Sequence, residues 1–276
     1  MGTSRSAGAI LIKLQDMDVV NVEFEWFNFK PDVDFHGLKS LLRQLLDVDA
    51  PLFNLSALAE LILSQPTVGS TVKVDGEETD PYAVLTILNL HEHKDKKEIK
   101  DLTQYLVEKS KTSQPLADLE ALLSSNAQVG LVLSERMINV PSEISPPMYT
   151  MLIDEIEAAV EDKEPYEFTH YLVLSKNYRE IASALDQEDK PKSKKSKASK
   201  ASKEIFYFHP EDEILQKHAL ASGVFEYTKD EGDGMADSKR AFSEMGIKTQ
   251  GSMILIEAAK FEGAVKAIGE YLSPPQ

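Results

Sequence analysis

Apolar and polar positions along the chain alternate in two distinct rhythms, and the switches between them mark out the elements. Val20, Val22, Phe24 and Trp26 alternate with Asn21, Glu23 and Glu25, the two-residue period of a half-buried strand. Leu38, Leu41, Leu42 and Leu45 then fall at i, i+3, i+4 and i+7, a helix capped by Asp34 and stopped before Pro51. Leu55, Leu58, Leu61 and Ile62 repeat that pattern. Val72–Val74 and Val84–Leu90 read as a hairpin turned through Asp75-Gly76 and Asp80-Pro81. The second of these runs is apolar on both faces, as a central strand should be.

Helices are expected near Ile99–Val107 and Leu116–Leu123, and an apolar strand at Val129–Leu133. A proline-punctuated turn (Pro141, Pro146, Pro147) leads from that strand into a helix with Ser145 as its N-cap. Met148, Leu152, Ile156 and Ala159 form the apolar stripe of this helix. Strands at Phe168–Leu174, Ile205–Phe208, Ala221–Tyr227 and Met253–Ile256 follow. They are interleaved with helices opening at Pro210, at Ser238–Met245 and over Phe261–Ile268. The order βααββααβαββαβαβα with short connections predicts one α/β domain around a mixed sheet. Residues 1–18 are read as a tail, native or expression-derived, and 19–273 as the domain.

Residues 187–203 break the pattern. Lys190, Lys192, Lys194, Lys195, Lys197, Lys200 and Lys203 lie among Ser, Ala and Pro with nothing apolar, so the segment is expected to be a disordered insertion. Lys192, Lys194, Lys195, Lys197 and Lys200 form a candidate nuclear localisation run, against the plainer reading of a solvated loop.

Composition changes the picture in one respect. The 276 residues carry a formal net charge of −16, a field that repels nucleic acid and anionic lipid and attracts basic proteins. The carboxylates cluster at Asp154, Glu155, Glu157 and Glu161, at Glu211, Asp212 and Glu213, and from Glu226 to Asp237. The first two groups are candidate partner-binding faces, one on the polar side of the helix after Ser145 and one in the first turn after Pro210. Cysteine is absent, which excludes disulfides and thiolate chemistry. No apolar run is long enough to span a bilayer, and no secretory signal is expected. The sequon at Asn54-Leu55-Ser56 is read as chance.

No pattern calls for catalysis. His91-x-His93 lacks a third ligand at metal spacing, and Asp230–Asp237 lacks the glycine and terminal glutamate of a calcium loop. His170 is read as a partly buried strand residue. Walker, dinucleotide and nucleophile-elbow motifs are missing. No cofactor, metal or catalytic residue is expected.

Five blocks carry a resemblance: DVDFHGLKSLLRQLL (32–46), TVKVDGEETDPYAVLTILNL (71–90), ERMINVPSEISPPMY (135–149), HPEDEILQKHA (209–219) and DSKRAFSEMGIKTQGSMILIE (237–257). The chain resembles the BCCIP/BCP family of eukaryotic nuclear proteins from about Asn21 to Tyr271. That resemblance implies a fold similar to the GCN5-related acetyltransferase (GNAT-like) fold. The pyrophosphate-cradling loop of those enzymes, Arg/Gln-x-x-Gly-x-Gly/Ala opening a helix, is missing here. The resemblance therefore implies a non-enzymatic nuclear chaperone or escort. Its client would be a basic ribosomal protein, the universal large-subunit protein L-fourteen, bound during 60S ribosome biogenesis. It also implies a link to nuclear export of a phosphatidylinositol-phosphate kinase, contact with importin or exportin, and shuttling between nucleus and cytoplasm. The competing expectations are a divergent GNAT-like acyl-CoA transferase and a nuclear-transport adaptor.

Overall fold

The computed structural model describes residues 8–9, 22–65, 67–181, 204–228 and 246–272. Among the described residues nine strands form one mixed sheet: β1 (Gly8–Ala9), β2 (Glu23–Asn28), β3 (Ser70–Lys73), β4 (Ala83–Asn89), β5 (Val129–Arg136), β6 (His170–Glu180), β7 (Phe206–Tyr207), β8 (Ala221–Phe225) and β9 (Ile247–Glu257). Their spatial order is β1-β2-β3-β4-β5-β6-β9-β8, with β7 pairing the far end of β6. Every pairing is antiparallel except β5 with β6.

Helices cover both faces. On one side lie α1 (Pro31–Leu46), α2 (Leu55–Leu63), α3 (Lys97–Ser110) and α4 (Leu119–Ser124). On the other lie α5 (Ser145–Glu161), α6 (Glu211–Lys217) and α7 (Ala258–Leu272). Strand alternation divides the core accordingly. Leu131, Leu133, Leu172 and Leu174 pack under the first layer, and Val132, Val173, Ile254 and Ile256 under the second. All seven residues of β4 are buried, as its two-sided apolar run requires. The expected single α/β domain with helices flanking a mixed sheet is the fold observed.

Four details differ from the expectations. Pro31 at the first helical position starts α1 three residues before Asp34. Asp34 instead reaches back to accept from Lys30 N (2.7 Å) and pairs with Lys73 Nζ (2.6 Å), both side chains fully buried. Ser145 is not the N-cap of α5; Ile144 holds that position without a side-chain bond, and the Ser145 hydroxyl is committed elsewhere. Gly8–Ala9 pairs with β2 inside the stretch read as a tail. The strands β6 and β9 run to eleven residues each, because their polar second halves pair with each other beyond the apolar core. The Lys192–Lys200 run, Asp230–Asp237 and the helix expected at Ser238–Met245 lie outside the described residues.

Candidate interaction surface and a buried charge cluster

The parallel pair β5–β6 defines where polar groups collect. Pairing runs from Val129↔His170 to Leu133↔Leu174 and stops. Beyond that point β5 stays with β4 as far as Arg136, while Asn177 and Tyr178 of β6 pair with β7. Into this divergence drops His209, which follows β7 and is 3% exposed.

Five other ionisable side chains surround it, all buried: Glu135, Arg136, Lys176, Glu211 and Asp212. Arg136 grips Glu211 through both guanidinium NH groups, the second at 3.1 Å. Ser145 accepts from Arg136 at 3.0 Å and donates to Glu211 at 2.8 Å. His209 places Nε2 3.2 Å from Glu135 and Nδ1 3.6 Å from Glu211. Lys176 pairs with Glu135 at 2.7 Å and donates to Gln44 O at 3.0 Å; Gln44 Nε2 in turn donates to Glu135 at 2.9 Å. Ser175 donates to Asp212.

Burial by itself would neutralise each of these groups, and the pairing reverses most of that tendency. Glu135 would be pushed up by burial, but His209 and Lys176 hold it down at about 2. Glu211 is likewise held far below the usual carboxylate range, against burial, by His209 and Arg136. Burial would lower His209, yet the two glutamates raise it to about 9. Asp212 goes the other way: burial, assisted by Glu211, lifts it to about 7 despite His209 and Ser175. The cluster therefore holds an imidazolium between two carboxylates, each of which also pairs with a second cation, Arg136 or Lys176.

This arrangement corrects the reading of Glu211 and Asp212 as part of an exposed acidic face. Both face inward at 0% and 2% exposure, because Ile214 and Leu215 one turn later pull that side of α6 into the core. Glu213 alone of that trio reaches solvent, where it pairs with Lys217 at 2.9 Å. The space beside Arg136 and Tyr149, between β4, β5 and α5, admits no water-sized volume. The cluster ties β5, β6, α1, α5 and α6 together.

The other acidic group behaves as expected, with one exception. Asp154, Glu157 and Glu161 are exposed on α5 at i, i+3 and i+7, one stripe about 10 Å long. Glu155 is half-buried, and its carboxylate accepts from Gly69 N (2.9 Å) and Ser70 Oγ (3.0 Å), fastening α5 to β3. Over its 17 residues α5 contains no Lys or Arg. On the opposite layer a groove of about 500 Å³ runs beside α3 and α4, floored by Leu90, Val107 and Leu123. His91 lines it and meets Lys94 Nζ at 3.3 Å. Among the described residues no group of three or more His, Asp and Glu is placed to hold a metal ion.

The comparisons match this chain to one family. The BCCIP family model covers residues 19–215. The chain belongs to the BCCIP family. It is 61% identical to Protein BCP1 of Gibberella zeae over 95% of this chain and 90% of that one. It is 45% identical to Protein bcp1 of Schizosaccharomyces pombe over 95% and 94%. A crystal structure of BCP1 from Saccharomyces cerevisiae superposes with a TM-score of 0.62 at 29% identity, covering 92% of this chain and 90% of that one.

Sequence reasoning missed the charge cluster as a unit. Its signal was present: Glu135 and Arg136 follow the apolar run Val129–Leu133 after Ser134 alone, and Lys176 follows Leu172–Leu174 after Ser175 alone. Charges at positions that continue a buried strand require partners.

Proposed function

We propose that this BCCIP family member is a non-enzymatic nuclear escort for a basic ribosomal protein, the universal large-subunit protein L-fourteen, during 60S biogenesis. The observation that carries the reading is the exposed stripe Asp154, Glu157 and Glu161. It lies in the C-terminal half of α5, where the helix dipole disfavours negative charge, and no cation on that helix offsets it. Carboxylates kept there against local stability are well suited to a partner that supplies the missing positive charge. A free ribosomal protein presents such a surface and needs it masked until assembly.

Escort in and out of the nucleus through importin and exportin, and support for export of a phosphatidylinositol-phosphate kinase, belong to the same proposal. They rest on the family resemblance.

The test is co-expression with the ribosomal protein and size-exclusion chromatography across a salt series. A one-to-one complex that weakens as salt rises is expected. The triple reversal Asp154→Lys, Glu157→Lys, Glu161→Lys should weaken it at least tenfold at low salt and flatten the salt dependence. A reversed variant that binds like the parent protein would sink the electrostatic reading.

A further inference from the structure

Between β5 and α5 the chain makes a tight turn at Met137–Val140, closed by Val140 N donating to Met137 O at 2.9 Å. Its tip is Ile138, 82% exposed, the highest exposure of any large apolar side chain among the described residues; Met137 beside it is 36% exposed. A polar or glycine residue is the ordinary occupant of such a tip.

The backbone around Ile138 is nonetheless pinned on every side. Arg136 N donates to Glu135 Oε1 (3.0 Å), and Arg136 O accepts from Gln44 Nε2 (2.8 Å). Met137 N donates to Tyr82 O (2.9 Å), whose own N–H is tied to Val72 O (2.8 Å). Val140, on the far side, is buried at 6%. The Arg136 side chain at the root of the turn is locked into the buried cluster. A rigidly held, solvent-facing isoleucine has lost its backbone freedom in advance, which lowers the cost of inserting it into a partner.

The charges beside it are mostly of one sign. The β3–β4 loop joined through Tyr82 exposes Asp75, Glu77, Glu78 and Asp80, and Glu143 lies just past the turn. Lys30 meets Glu77 and Glu78 as the opposing cation. A membrane or nucleic acid would be repelled here.

We infer that the Met137–Ile138 turn is a docking anchor that inserts into an apolar pocket bordered by cations on a basic protein partner. The inference rests on the escort reading and adds to it a second, apolar contact at the opposite end of α5 from the Asp154–Glu161 stripe. Burying an exposed isoleucine contributes enough to binding that its loss is readable as a fold-change of ten or more.

The experiment measures affinity of the purified full chain for the ribosomal client, comparing Ile138→Ser, Ile138→Leu and the α5 triple reversal at several salt concentrations. Ile138→Ser should weaken binding at least tenfold with the salt slope preserved, Ile138→Leu should retain it, and melting temperatures should match the parent because the side chain packs on little. If Ile138→Ser binds like the parent while the reversal does not, the anchor is overturned and the escort reading stands. If the parent chain itself does not bind the client, the escort reading falls and the anchor falls with it.

Discussion

Glu211→Gln is the sharpest test of the charge cluster, because it removes one charge and keeps the side-chain volume. In the folded protein Glu211 accepts from Arg136 twice and from Ser145 once, and it faces His209. A glutamine keeps one acceptor and turns an NH2 toward donors it cannot pair with, leaving Arg136 and the imidazolium with one carboxylate fewer. Removing one member of a buried ion pair costs about 3–5 kcal/mol. The near-isosteric change should sit at the lower end, about 3 kcal/mol. For a chain of this size that corresponds to a fall of roughly 6–12 °C in melting temperature.

The control is Glu213→Gln, two residues on, where a partly exposed carboxylate pairs with Lys217 across one helical turn. That pair lies in solvent and contributes far less. Scanning calorimetry and urea unfolding of both variants give the comparison. Had Glu211 been a first-turn surface carboxylate, its loss would cost only about 0.3–1 kcal/mol of dipole interaction. Equal shifts for the two variants, or a loss below about 1 kcal/mol for Glu211→Gln, would refute the account of a paired interior cluster.

Two other outcomes are expected. Stability should be greatest near pH 4.5 and decline above it, since the two kinds of shift work in opposite directions. Glu135 and Glu211 have depressed values, so their contribution is present above the ordinary 4.5 and is lost as pH falls toward about 2. Asp212, raised from 3.8 to about 7, and His209, raised from 6.5 to about 9, stabilise while protonated and lose that contribution as pH rises through their folded values. Asp212→Asn should therefore remove the decline between pH 4 and 7 and leave the one approaching pH 9; a urea-midpoint series against pH reads this directly, and an unchanged profile counts against it. Separately, deleting Lys190–Lys203 should leave a fluorescently tagged chain in the cytoplasm, whereas undiminished nuclear accumulation would remove the localisation role from that run.

Much of the architecture is legible locally because it depends on periodicities a few residues long. The stripe Met148, Leu152, Ile156 and Ala159 does face the core, and the run Val84–Leu90 is buried throughout. The cluster is not legible in the same way. Glu211 finds Arg136 75 positions away and Asp212 finds Ser175 37 positions away, contacts that exist only once β5 and β6 have diverged around His209. Local pattern assigns HPEDE to a solvated first turn, since acids there suit the helix dipole; tertiary pairing overrides that preference.

The correction narrows the surface on which the proposed function rests. Of the seven carboxylates first grouped as acidic faces, Glu211 neutralises the interior Arg136, Asp212 is buried and accepts from Ser175, Glu155 fastens α5 to β3, and Glu213 is engaged by Lys217. What faces outward with no cation on its own helix is Asp154, Glu157 and Glu161. The buried cluster bears on that surface indirectly. By fixing Arg136 and Ser145 it sets the start of α5 and the turn before it, and so the spacing between Ile138 and the acidic stripe. A partner that reads both features needs that spacing constant, and an ion network tying β5, α5, α6 and α1 together supplies the rigidity that a solvent-exposed turn could not provide alone.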